Sequence, residues 1–84
     1  MISLYAEVHG YTITLDLHGM TVQQAKKELQ SVLKECPKHV KEVEVIHGYH
    51  GGQALQQYVR SIKHPKVQRV IVGLNHGQTT LLLK

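Results

Sequence analysis

The sequence predicts a small α/β (α+β) domain, a two-layer sandwich in which one sheet carries two helices on a single face. Three observations point there. Apolar periodicity along the 84 residues runs strand, helix, strand, helix, strand, strand (βαβαββ); the first strand alternates strictly between apolar and polar positions; and the first three strands are joined through helices. Helical crossovers require parallel pairing, and right-handed connections place both helices on the same face. A strand covered on both faces would not read as half polar, so the second face is open.

From Tyr11 to Leu17, Tyr11, Ile13, Leu15 and Leu17 alternate with Thr12, Thr14 and Asp16, the period of a half-buried strand. After His18-Gly19, Thr21 and Gln24 fit a capping box. Val22, Ala25, Leu29, Val32, Leu33 and Cys36 then recur at helical spacing, Gln23, Lys26, Lys27, Gln30 and Lys34 face away, and Pro37 marks the end. Val43, Val45 and Ile46 form a short strand running into His47-Gly48. The stretch Tyr49-His50-Gly51-Gly52 opens a second helix with apolar Ala54, Leu55, Tyr58, Val59 and Ile62, broken at His64-Pro65. A third strand covers Val67 to Val72, and a turn through Asn75-His76-Gly77 leads to a last strand, Thr79 to Leu83. Its unbroken Leu81-Leu82-Leu83 marks a central strand, apolar on both faces. Ile2, Leu4, Ala6 and Val8 also alternate, which predicts an N-terminal edge strand turning at His9-Gly10.

The length admits one domain. The longest uninterrupted apolar run is three residues, far short of a membrane span, and no secretory signal is visible. The single cysteine, Cys36, has no internal partner and is expected to be buried, which fits a reducing, cytoplasmic setting. Ten Lys and Arg against six Asp and Glu give a net charge of +4, which favours an anionic partner; a plain solvated basic surface reads the same. With four Tyr and neither Trp nor Phe, an extended aromatic platform for single-stranded bases is not expected.

Three His-Gly pairs close or adjoin apolar runs: His18-Gly19, His47-Gly48 and His76-Gly77. Glycine lets the chain turn sharply or approach a ligand, and histidine is the side chain suited to proton transfer near neutral pH. Parallel strands would gather these pairs at one sheet edge, where open α/β sheets keep their ligands. Asp16 and His18, two apart on a strand, point to the same side, with His47 about 5 to 10 Å away if its strand is near. Two imidazoles and a carboxylate suffice as base, acid and orienter; a turn leading into the first helix, held by backbone hydrogen bonds, would use Asp16 and His18 equally well. Gly48-Tyr49-His50-Gly51-Gly52 before a helix fits an anion cradle, or glycines needed only for a tight turn. It matches neither the P-loop nor the dinucleotide fingerprint. No His pair sits at i, i+4 on a helix, so no resident metal or other cofactor is expected.

Leu15-Asp16-Leu17-His18-Gly19 before a Thr-capped helix, Ile46-His47-Gly48 before a glycine-rich loop, and a Gly-Gln-Thr turn before an apolar strand together resemble the small MutS-related (Smr) domain. The resemblance spans about Thr12 to Lys84, leaving residues 1–10 as an N-terminal arm or edge strand and 11–84 as the Smr-like domain. It implies a mixed four-stranded sheet of order 1-2-4-3, the last strand antiparallel between the second and third, as in the C-terminal domain of a bacterial translation initiation factor. It also implies nucleic-acid binding and, as in several members, endonuclease activity. The family's Asp-x-His element falls on Asp16 and His18, and its glycine loop on His47-Gly48, Gly51 and Gly52. This chain departs from the pattern at Tyr49-His50, where many members have Lys-Gly, and at Asn75-His76-Gly77, where Gly-Gly-x-Gly is common.

The expected function is therefore cleavage or nicking of RNA or structured DNA, with Asp16, His18 and His47 as the catalytic set. Gly19, Gly48, Tyr49, His50, Gly51, Gly52, Lys26, Lys27, Arg60 and His76 are the expected nucleic-acid contacts. RNA cleavage through the 2′-hydroxyl needs no metal, whereas DNA hydrolysis would call for a divalent cation. The alternatives are a non-catalytic nucleic-acid or ribosome-binding module and a protein-interaction module that uses its N-terminal strand as an edge. Further expected partners are the ribosome or a DNA-repair protein, with no membrane, and the chain as a monomer or weak dimer. Standing without the long appendages of many members, the domain is expected to rely on a partner for targeting.

Overall fold

The computed structural model describes residues 4–48, 54–72 and 77–84. Seven elements follow in order: β1 (Ala6–His9), β2 (Thr12–Asp16), α1 (Val22–Glu35), β3 (Glu42–Ile46), α2 (Ala54–Arg60), β4 (Val67–Ile71) and β5 (Gln78–Leu83). The strands form one sheet ordered β1-β2-β3-β5-β4. β2 and β3 run parallel, and β5 is inserted antiparallel between β3 and β4, the central place its leucine run predicts. The N-terminal edge strand is present: β1 pairs antiparallel with β2 through Gly10-Tyr11. Gly10, with φ +59, takes the first turn position, where a type II′ hairpin favours glycine.

Period-2 alternation sorts the sheet into two faces. Ile13, Leu15 and Leu17, Val43 and Val45, and Leu81 are fully buried, and they meet Ala25, Leu29, Val32 and Leu33 of α1 and Leu55 and Val59 of α2 in one core. Both helices therefore cover the same face. α1 begins as its sequence dictates: Gln24 N donates to Thr21 Oγ1, and Thr21 N donates to Gln24 Oε1, so two amides at the helix start are satisfied reciprocally. Leu29 is a fully buried residue of α1 in this core. Leu29→Ala is expected to lower stability by about 2–5 kcal/mol, read as a fall in Tm of roughly 10 °C or more in thermal unfolding.

The open face carries Thr12, Thr14, Asp16, Glu42, Glu44, Ile46, Gln78, Thr80 and Leu82, all half-buried. Thr12 Oγ1 donates to its cross-strand neighbour Glu42 at 2.8 Å. Glu7, opposite Thr14, belongs to the same face. Four of the chain's six carboxylates, Glu7, Asp16, Glu42 and Glu44, thus lie on the open face, whereas Lys26, Lys27 and Lys34 stand exposed on α1. Arg69, opposite Leu82, is a cation on the open face, and Glu28 and Glu35 are carboxylates on α1.

Several expectations are corrected. Tyr11 is 67% exposed, not part of the core; it sits at the hairpin, beyond the reach of the helix layer, with its ring edge-on to His39. α2 ends at Arg60, so Ile62 packs on the core from the following turn, and Ala54 is exposed. Gln30 turns toward α2, where its amide donates to the Tyr58 hydroxyl at 3.4 Å. Cys36 is half-buried, its thiol directed at the Leu33 carbonyl. Among the described residues no helix is long and apolar enough to cross a membrane.

Candidate functional site

Parallel pairing of β2 and β3 sets Asp16 beside Ile46, and it continues one step further as Leu17 N donates to the Ile46 carbonyl at 2.7 Å. The two strands thus end together, with His18 next to Gly48. A Cβ placed on Gly48 would lie 3.2 Å from His18 Cβ, and Gly48 has φ +81, so both the close approach and the backbone conformation call for glycine there. The start of β5 closes the same rim: the Gly77 carbonyl accepts from His47 N at 2.9 Å and from Gly48 N at 3.1 Å. His18-Gly19, His47-Gly48 and Gly77 are thereby brought to one edge of the sheet.

Asp16 and His18 share the open side of β2. Asp16 Oδ1 accepts from the His18 backbone N–H at 3.2 Å and pairs with His18 Nδ1. The carboxylate therefore holds the turn and the ring at once, uniting the two roles the spacing allows. With Nδ1–H donated to Asp16, Nε2 is the acceptor nitrogen, and no hydrogen bond among the described residues occupies it. The His18 side chain is 67% exposed. An oriented imidazole with a free acceptor nitrogen at the surface can take a proton from a bound hydroxyl.

His47 is placed differently from the expectation. Its ring is 1% exposed because it continues the Val43, Val45 alternation and points under the helices, on the opposite side of the sheet from Asp16 and His18. Arg60 Nε donates to Thr79 Oγ1 at 3.2 Å, and the Thr79 hydroxyl donates to His47 Nε2 at 2.9 Å. His47 Nδ1 then donates to the Gly48 carbonyl at 3.3 Å. This chain satisfies every polar group in it with the imidazole neutral. Burial lowers the His47 pKa from its ordinary value, against the hydrogen bond to Gly48 and helped by the nearby Arg60 charge. The unfolded chain binds the proton more readily than the folded one. The stabilisation is therefore complete above the unfolded value of about 6.5 and is lost as pH falls from there toward the lower folded value. Thermal unfolding at pH 7.5 and 5.5 should show a larger drop in Tm for the natural chain than for His47→Gln.

The sequence profile of the Smr domain matches residues 15–80. The chain belongs to the Smr family. Among solved structures, the Smr domain of Thermus thermophilus MutS2 is similar with a TM-score of 0.74 at 27% identity, over 84% of this chain and 96% of that one. Ribosome rescue factor SmrB of Aeromonas hydrophila is 46% identical over 59 residues, covering 67% of this chain and 33% of that protein. SmrB of Pasteurella multocida is 44% identical over 57 residues, covering 64% and 33%. The chain spans about a third of the length of these curated relatives.

Within this Smr domain, Lys26 and Lys27 stand exposed on the first turns of α1. Gly19 has φ +79 and open space around it. Arg60, expected as a phosphate contact, is committed inward: besides Thr79, its two terminal nitrogens donate to Gln56 at 2.9 and 3.0 Å when that amide is turned with its oxygen toward them. Tyr49, His50, Gly51, Gly52 and His76, and with them the expected anion cradle, lie outside the described residues. Thr79 and Gln56 were not singled out by sequence. Thr79 carried a signal, since it shares the buried parity of Leu81 and Leu83, where a hydroxyl needs a partner. Among the described residues no three His, Cys, Asp or Glu side chains come together as metal ligands would.

Proposed function

We propose that this Smr domain binds RNA and cleaves it at the Asp16–His18 pair without a metal ion. The observation that carries the reading is the carboxylate-held imidazole at the surface, with Nδ1 on Asp16, Nε2 as the acceptor nitrogen and Gly48 packed against its Cβ. In the proposed reaction His18 Nε2 takes the proton of a 2′-hydroxyl, the 2′-oxygen attacks the adjacent phosphorus, and the bond from phosphorus to the 5′-oxygen breaks. Water supplies the proton to that leaving oxygen. Asp16 keeps Nε2 as the acceptor and stabilises the imidazolium as it forms. His47, closed off beneath the helices, acts as a positioning residue for Gly48.

Lys26 and Lys27, exposed on the first turns of α1, are the cations offered to the RNA backbone. The names of the SmrB relatives support ribosome-associated RNA as the substrate class. A binding-only domain is the second reading, favoured by the burial of one of the two expected imidazoles. The test is incubation of natural and Asp16→Ala chains with labelled RNA and DNA, with and without EDTA. RNA products that persist in EDTA and vanish in Asp16→Ala support cleavage. Salt-sensitive binding with no products supports the second reading, and identical products from both chains contradict the assignment of the site.

A further inference from the structure

The end of the sheet opposite the Asp16–His18 rim gathers lysines. β2 and β3 run toward the rim and β5 runs away from it, so the starts of β2, β3 and β4 meet the close of β5 at the far end. There Lys41 N donates to the Tyr11 carbonyl at 2.7 Å, Leu83 N to the Lys41 carbonyl at 2.8 Å and Lys84 N to the Lys66 carbonyl at 2.9 Å. Lys66 Nζ donates to the Lys34 carbonyl at 3.0 Å, on the last turn of α1. Lys38, Lys66 and Lys84 ring a recess of about 300 Å³, whose other lining includes Cys36, Val40 and Leu83 and holds no carboxylate. Lys34, Lys38, Lys41, Lys66 and Lys84, five of the ten Lys and Arg residues, thus stand exposed at this one end.

We propose that this recess holds phosphates of the RNA backbone, as a second contact at the far end of the sheet from the cleavage site. It rests on the RNA-binding part of the function proposed above and not on cleavage. Two of the five lysines serve the fold. Lys34 places a cation at the negative end of α1, and Lys66 satisfies a carbonyl that the helix end leaves open. Lys38, Lys41 and Lys84 have no carboxylate partner among the described residues. The carboxylates of this end are Glu35 and Glu42, and Glu42 accepts from Thr12. Cations gathered without matching counter-charge repel one another, and a bound polyanion relieves that repulsion. Phosphate oxygens are strong acceptors for ammonium groups. Tyr11 favours RNA over an acidic protein segment. It is 67% exposed at the same end, its backbone bonded to Lys41 and its ring edge-on to His39, and it offers a face on which a base can stack beside the phosphate contacts. Strands of five or six residues set the two contacts roughly 17–20 Å apart, so one RNA strand can engage both.

The chain's single cysteine, Cys36, lines the recess and reports on its occupant. Its alkylation by iodoacetamide, a neutral reagent, is timed by intact-protein mass with and without a single-stranded RNA whose 2′-hydroxyls are methylated. With RNA at about ten times its Kd, the rate should fall roughly tenfold, in step with the unbound fraction. Lys38→Gln/Lys84→Gln, changed at two exposed positions, should keep the natural Tm and need more RNA for the same protection. It should also flatten the plot of log affinity against log salt by about 1.4 in slope, the share of two phosphates of a single strand. Polyglutamate of equal length, which has no base to stack on Tyr11, should protect only at higher concentration. RNA binding that leaves the Cys36 rate unchanged overturns the second contact and leaves the cleavage reading untouched. Protection by polyglutamate at the same or lower concentration gives the recess to an acidic protein and overturns the RNA assignment. A protected Cys36 with ordinary RNA that stays uncut overturns the cleavage reading alone, and absence of RNA binding by the natural chain overturns both.

Discussion

His18→Ala is expected to lower the RNA cleavage rate by a factor of about 10² to 10⁴, the typical contribution of a positioned general base, while RNA affinity and Tm stay close to those of the natural chain. The separation of effects follows from the position of the ring. It is 67% exposed and its side-chain partner is Asp16 Oδ1, so truncation opens no core cavity. Asp16→Asn should give a comparable loss of rate. The amide can hold the backbone N–H of His18 through its oxygen, but it lacks the charge that stabilises the imidazolium. Single-turnover cleavage with saturating protein reads the chemical step, and filter binding with an RNA whose 2′-hydroxyls are methylated, and so cannot be cut by this route, reads affinity. A His18→Ala chain that cleaves at the natural rate would remove the site from the mechanism.

Gly48→Ala should affect both stability and rate. The backbone at φ +81 holds a non-glycine residue at a cost of about 1–3 kcal/mol, expected as a fall in Tm of roughly 5–20 °C. The added methyl would also stand 3.2 Å from His18 Cβ, so His18 must give way by a few tenths of an ångström. A displacement of about 1 Å at a reacting group costs about 10²-fold in rate, so this smaller shift is expected to lower the cleavage rate by less than that factor. Gly10→Ala is the control. Its φ is +59 but nothing lies within 4 Å of the added carbon, so it should lose stability and keep its rate per folded molecule. Equal rates for the two variants, measured where both are fully folded, would mean that the Gly48–His18 contact has no part in placing the ring.

Most of the architecture could be read from periodicity. The alternation of Ile13, Leu15 and Leu17 fixed one covered face, the crossovers fixed parallel β2 and β3, and Leu81-Leu82-Leu83 located the central strand. The Thr21–Gln24 box gave the start of α1, and the His-Gly pairs marked the rim. The misreading of His47 came from applying parity to one strand only. Asp16 and His18 were assigned a side by their two-residue spacing, yet the same rule puts His47 in phase with Val43 and Val45, on the buried side. Arg60 was expected as a nucleic-acid contact from its charge, and its intramolecular bonds were not legible. Its inward partners, Thr79 and Gln56, come from β5 and from its own helix, and a charge count along the chain does not reveal which cation a buried hydroxyl will recruit.

The central claim is that a carboxylate-held His18 activates a 2′-hydroxyl, and the chemistry of the cut ends tests it most directly. RNA incubated with the natural chain in EDTA should yield fragments ending in a 2′,3′-cyclic phosphate and beginning with a 5′-hydroxyl, and a single 2′-deoxy substitution at the cut position should block the cut. Fragments with 3′-hydroxyl and 5′-phosphate ends, formed only when a divalent cation is present, would contradict the account.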